Sequence, residues 1–273
     1  MAMNMIQLTS GMRQNLFSLQ QTSKLMETTQ KRLATGREVN SALDDPVNFF
    51  AAKGHDQRAS DLAGRKDEMS EAIQTVKAAN EGIESITELI AAAKSLANSA
   101  KSADNTTTQA QLATDFNEIM DQIDFLADDS GYKGINLVNG SSESLAVSFD
   151  ANGDSTLTLT GFAGSTGGLG LSDAGGSWAD TSSIEASITA LDTARDTLRT
   201  EAKTLSSNLN IVNTRQDFTE GMINVLSDGA ANLTLADMNK EGANMLMLQT
   251  RQALGTTSLS MASQAAQSVL RLF

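Results

Sequence analysis

The sequence predicts a mainly α fold: an elongated antiparallel helical bundle with terminal coiled-coil helices and a small β hairpin element at the tip. Three observations carry this. Apolar and small side chains recur at alternating steps of four and three in five stretches, the spacing of one helical stripe and of a coiled-coil seam. Aromatic residues make up 4% of the 273, with one Trp, one Tyr and one Pro, which suits long helices packed side by side better than a barrel around a deep pocket. Between 141 and 178 the period changes to two.

In chain order, residues 1–35 read as one helix whose seam is Met12, Leu16, Leu19, Ser23, Met26, Gln30 and Leu33. The polar Ser23 and Gln30 would set register at some cost in stability. Gly36 ends it, and the acidic stretch that follows, with Asn40, Asp44, Asp45 and Pro46, reads as a sharp turn. Residues 47–66 give a weaker helical signal. Ala72, Val76, Ala79, Ile83, Ile86, Ile90, Ala93, Ala97 and Ala100 then keep the spacing without exception, enough for roughly 43 Å of helix.

A polar cluster from Asp104 to Thr108 breaks the pattern and offers an N-cap. Leu112, Phe116, Ile119, Ile123 and Leu126 resume it. Tyr132 to Gly140 is a compact apolar patch set between glycines, and Leu145, Val147 and Phe149 with Leu157 and Leu159 form a hairpin about Asn152-Gly153. Residues 161–180, rich in Gly and Ser with a lone Trp178, read as an irregular loop. A long helical line runs from Ile184 to Leu226, Asp228-Gly229 is taken as its end, and a last helix aligns Met238, Glu241, Met245, Leu248, Gln252, Gly255, Leu259, Ala262, Ala266, Val269 and Phe273. Small residues at Gly255, Ala262 and Ala266 would let a partner helix come close. The expected organisation is a terminal coiled-coil domain from 1–40 and 235–273, and an inner helical rod from 41–140 and 181–234 with a connecting spoke at 41–56. A short variable surface-exposed β and loop segment at 141–180 completes it.

The formal net charge of −13 is uneven. Residues 41–228 hold 12 Lys and Arg against 29 Asp and Glu, whereas the two ends together hold 8 against 4. An acidic middle argues against nucleic acid, since phosphate binding needs a basic face. With no cysteine, disulfides, thiol chemistry and Cys-based zinc sites are excluded. No cleavable secretory signal and no membrane-length apolar run is present, so export would use another route and membrane insertion is not expected.

The chemical motifs are weak. His55 is the only histidine and reads as a surface residue. Asp150 to Asp154 begins like a calcium loop but lacks the central Gly and closing Glu, so a hairpin turn is expected. Gly164 to Gly170 lacks the Lys-Ser/Thr of a phosphate loop. No paired carboxylates, zinc set or nucleophile constellation appears between 141 and 180, so neither an enzyme nor a cofactor is expected.

The stretch Arg32-Leu33-Ala34-Thr35-Gly36-Arg37-Glu38-Val39-Asn40-Ser41-Ala42-Leu43-Asp44-Asp45-Pro46 resembles the N-terminal signature of bacterial flagellins, departing at Arg37-Glu38. Tyr132 to Gly140, Asp237 to Gln252 and the closing Leu259 to Phe273 are similar to further family segments, and Arg32 to Pro46 with Phe49 and Phe50 resembles the alphaproteobacterial branch. The resemblance implies a subunit exported unfolded through the flagellar type III apparatus that polymerises into the extracellular filament. Its partners would be other copies of itself, the flagellar cap, junction proteins, an export chaperone and the export gate. Terminal helices that order on assembly would form the filament core. On this reading the assembly seam is Met12, Leu16, Leu19, Met26, Leu33, Leu248, Leu259, Ala262, Ala266, Val269 and Phe273, and the spoke turn is Asn40, Asp44, Asp45 and Pro46. A hook-filament junction protein of the same superfamily is the alternative.

Overall fold

A computed structural model describes residues 10–140 and 142–270, without the side chains of residues 176, 177, 269 and 270. The order is α1 (Ser10–Thr35), α2 (Pro46–Lys101), α3 (Thr106–Asp129), β1 (Ser144–Ser148), β2 (Thr156–Thr160), a 3-10 turn at Gly175–Trp178, α4 (Thr181–Thr234) and α5 (Met238–Leu270). The chain is mainly helical with one antiparallel hairpin. It divides into two compact units, Met1–Gln57 with Val225–Phe273, and Arg58–Asn224, whose limits fall inside α2 and α4.

In the unit Arg58–Asn224 the strict periodicity becomes a core. Every position of the α2 line from Ala72 to Ala100 is buried, facing Phe116, Met120 and Ile123 of α3 and Ile184, Leu191, Leu198, Leu205 and Val212 of α4. The rim shows the register of α2 against α4. Lys66 pairs with Glu220, the Ser70 hydroxyl accepts from Gln216, Lys94 pairs with Asp192 and Lys101 with Glu185. As one number rises from 66 to 101 the other falls from 220 to 185 step for step, so the two helices run antiparallel without a slip. These half-exposed ion pairs contribute little each and report alignment more than stability.

Asn105 caps α3 by accepting from the Thr107 amide at 2.8 Å. Asn136 closes its other end, donating to the carbonyls of Ala127 and Asp128 that the helix leaves without partners. In the hairpin, Leu145 stands opposite Leu159 and Val147 opposite Leu157, all four on the face turned to the core. Phe149 lies under the Arg215 guanidinium, 5.1 Å from its ring centre. The turn closes on Asp150, whose carboxylate accepts from the Ser155 amide and is held by it below the usual carboxylate range.

Three sequence expectations need correction. The weak signal over 47–66 belongs to a helix that continues unbroken to Lys101, its inward positions being small or spaced, as at Ala52, Ala59 and Leu62. Asp228-Gly229 does not end α4, which runs on to Thr234 with Ala230 and Thr234 buried beyond the glycine. Residues 161–180 are irregular but packed. Leu169, Leu171 and Trp178 are buried, Thr166 donates its amide and hydroxyl to Asp124, and Ala174 donates to Asn117. Trp178 is fully buried with its ring centre 4.7 Å from that of Phe116.

Candidate functional site

The terminal helices and the turn that joins them to α2 carry every described residue that the sequence singles out for assembly. Helix α1 packs on α5, but the line it turns inward is Met12, Asn15, Leu19, Thr22, Met26, Thr29 and Leu33. Half of the expected stripe is there, in Met12, Leu19, Met26 and Leu33. The other half is replaced by the neighbours Asn15, Thr22 and Thr29, one residue earlier, and Leu16 is 40% exposed.

On the α5 line Met238 is 48% exposed, Glu241 and Leu248 are buried, and Met245, Gln252, Gly255, Leu259, Ala262 and Ala266 are half-buried. Val269 lies in α5 with its side chain outside the described residues, and Phe273 lies outside them altogether. Gly255 has a steric reason: a Cβ there would stand 2.5 Å from Leu19 Cδ2, so its absence lets the leucine settle on the α5 backbone.

The joint is built from short-range polar contacts. Gly36, at φ +68°, ends α1 in the left-handed conformation, and its amide donates to the Arg32 carbonyl. The extended residues that follow pair with the end of α4: the Glu38 amide donates to the Thr234 carbonyl at 2.8 Å, and Ala236 returns a bond to Gly36. Asp44 accepts from the amides of Asn40 and Ser41 and from the Ser41 hydroxyl. Asp45 caps α2, accepting from the amides of Val47 and Asn48, and Pro46 occupies the first helical position, where a missing N–H costs nothing. Asn40 ties the turn back by donating to the Arg37 carbonyl.

The Ser41 hydroxyl, then the Asn40 amide, hold the Asp44 carboxyl below its ordinary 3.8. A depressed carboxylate supports the fold above its unfolded value and loses that support as pH falls through its folded value. Below pH 3.8 the turn is therefore expected to loosen progressively, with the Asn40 and Ser41 amide resonances moving together. Asp44→Asn should abolish that acid transition; an unchanged transition would assign it to another group.

Sequence reading missed the ion cluster beside this joint. Arg32, in the last turn of α1, places Nη1 3.2 Å from Glu38 Oε1 and 3.2 Å from Glu241 Oε1 in the first turn of α5. The Glu241 side chain is buried, and each charge also suits the helix end it occupies. The available signal was Glu241 itself, the one charged residue on that line.

Further apolar side chains are left outside the pair. Phe17 is 66% exposed and Leu254 66%, and Leu25, Leu246, Met247 and Met261 also face solvent. Among the described residues no set of three or more His, Cys, Asp or Glu side chains could hold a metal, and no helix is long and apolar enough to cross a membrane.

Such a fold, with end helices paired through a mixed seam and further apolar groups left outside, is that of a helical structural protein. A profile of the bacterial flagellin N-terminal helical region matches residues 4–143. Flagellin FljM of Caulobacter vibrioides is 32% identical over 100% of both chains, and a flagellin of Brucella melitensis is 28% identical over 94% of this chain and 95% of its own. A crystal structure of Bacillus cereus flagellin is similar over 56% of this chain and 88% of that one, at 23% identity and TM-score 0.48. The chain belongs to the bacterial flagellin family, with alphaproteobacterial relatives, and is a structural subunit of the flagellar filament.

Proposed function

We propose that copies of this chain join through the outer face of the α1–α5 pair. The observation that carries this is the set of large apolar side chains left outside the pair: Phe17, Leu246 and Leu254 are exposed, while threonines, an asparagine, a glycine and a glutamate take up part of the seam between the helices beside Met12, Leu19, Met26, Leu33 and Leu248. Several large apolar side chains exposed on one helix pair suit docking, and a second copy offers the same chemistry. In this reading Met12, Leu19, Met26, Leu33, Leu248, Leu259, Ala262 and Ala266 hold the pair closed within one chain. Leu16 contacts neighbours. The turn at Asn40, Asp44, Asp45 and Pro46 is the spoke between this core and the inner rod. Export through the flagellar type III apparatus, extracellular growth under the cap, and contacts with junction proteins, an export chaperone and the export gate complete the proposal, with no catalytic role.

Purified chain added to filament fragments should elongate them under the electron microscope. Leu16→Ala and Phe17→Ser should each raise the critical concentration about tenfold or more, the cost of a lost buried anchor at a subunit contact, while the melting of the inner unit stays unchanged. Equal critical concentrations for these variants and the unmodified chain would remove the outer face from assembly.

A further inference from the structure

The chain holds two Asn-Gly pairs, Asn139-Gly140 and Asn152-Gly153, and the fold treats them differently. Asparagine before glycine is open to loss of its side-chain amide, because the glycine nitrogen has no neighbouring side chain to hinder attack on the asparagine Cγ and its backbone turns freely. In a folded chain the attack depends on whether that nitrogen is already committed. At the first pair it is. Gly140 donates to the Phe162 carbonyl at 3.0 Å, and Asn139 bridges to Ala163. The strands of chain are also close: a Cβ on Gly161 would stand 2.8 Å from the Gly140 carbonyl oxygen. The backbone at Asn139 cannot swing without breaking this packing. The second pair sits at the tip of the hairpin, where residues 151–154 are exposed. The Gly153 amide makes a long bond, 3.4 Å to the Asp150 carbonyl, and ranks behind the Ser155 amide as a neighbour of the Asp150 carboxylate. Gly153 is at φ +80° with open space around it, since a Cβ there would meet nothing within 4 Å.

We propose that Asn152 is a site of spontaneous deamidation in the folded protein and that the fold shields Asn139 from the same reaction. The Gly153 nitrogen gives its proton to solvent and bonds to the Asn152 Cγ. The bond from that carbon to the side-chain nitrogen breaks, and ammonia leaves with a proton from water. Water then opens the five-membered imide on either side. Cleavage of the new bond leaves an aspartate, whereas cleavage of the original peptide bond leaves an isoaspartate whose main chain runs through the former side chain. The sum is one water consumed and one ammonia released, with no change of oxidation state. The product adds a carboxylate beside Asp150 and Asp154. Below the tip the Phe149 amide donates to the Ser155 carbonyl at 2.8 Å and Ser148 pairs with Thr156, so the change stays outside the ladder and away from the core side chains Leu145, Val147, Leu157 and Leu159. The modification therefore accumulates with the age of the molecule without unfolding it, and it does not depend on how copies join.

The test is to hold the purified full-length chain in mildly alkaline buffer, sample it over days, digest it and follow both asparagines by peptide mass spectrometry. Each conversion adds one mass unit, and the isoaspartate is separated from the aspartate by its retention. Conversion at Asn152 should be about tenfold or more faster than at Asn139, because Gly140 reacts only from the fraction of molecules that are locally open. In denaturant the two rates should converge, Gly153→Ala should slow the reaction several-fold, and Asn152→Gln should remove it. Melting of the inner unit should be the same before and after conversion. Equal rates in the folded chain, or faster conversion at Asn139, would overturn the proposal. So would an Asn152 that stays intact in the folded chain while the denatured chain converts. If Asn152 kept its full advantage in denaturant, the difference would belong to the neighbouring residues and the shielding of Asn139 would fall.

Discussion

Trp178→Ala is expected to destabilise the inner unit by about 3–5 kcal/mol, the range for removing a large aromatic side chain from a closed core. The residue is fully buried, packed against Phe116 with the two rings tilted by 58°, and held at φ +56°, a backbone state that a bulky side chain rarely adopts unless its surroundings impose it. Those surroundings are specific: the 3-10 turn Gly175–Trp178 packs on α3, and the preceding chain is hydrogen-bonded to Asn117 and Asp124. Removing the indole should therefore release the segment as well as leave a cavity. Circular dichroism melts would measure the loss. Trp178→Phe should cost less, because the indole N–H makes no hydrogen bond and the ring contact with Phe116 survives. A change under about 1 kcal/mol for the alanine variant would mean the segment is not part of the core.

Arg32→Ala is the second large expected effect. It would leave the Glu241 carboxylate buried beside no cation, and breaking such a pair from one side costs about 3–5 kcal/mol. Arg32 is partly exposed and water can reach the site, so the lower end of that range is expected. The loss should appear as faster hydrogen exchange across the last turn of α1 and the first turn of α5, with the inner unit unaffected. Replacing both partners with methionine should recover much of the protection, because no charge is then stranded. If the double variant exchanges as fast as Arg32→Ala, the cluster matters through geometry rather than through desolvated charge.

The inner unit was largely readable from sequence, because its α2 line is apolar or alanine at every inward position and admits no other phase. α1 was harder. Choosing the more apolar of two adjacent residues selects Leu16 over Asn15, and steps of seven from Leu16 then select Ser23 and Gln30, yet the helix turns Asn15, Thr22 and Thr29 inward. Threonine can be buried there because its hydroxyl bonds back to its own helix, as Thr22 does to the Ser18 carbonyl at 2.9 Å. The apolar rule assumes that the chain is covered only by itself, and it fails where the better apolar residue faces outward. Asp228-Gly229 misled for a related reason: a helix-ending dipeptide is overridden when tertiary packing supports the helix through it. Trp178 carried a signal in its solitude within a Gly-rich stretch, but nothing local pointed to Phe116 as its partner.

The mixed interior of the α1–α5 pair also bears on how growth is timed. Asn15, Thr22, Thr29, Glu241 and Gly255 share the seam with Met12, Leu19, Met26, Leu33 and Leu248, so closing the pair in a free chain gains less against its entropy cost than an all-apolar seam would. A neighbour that covers Phe17 and Leu254 binds the closed form alone, and its affinity is reduced by the fraction of chains that are open. At an existing filament end that penalty is met by several neighbours at once; between two free chains it is met by one. Spontaneous growth should therefore show a long lag that added fragments remove.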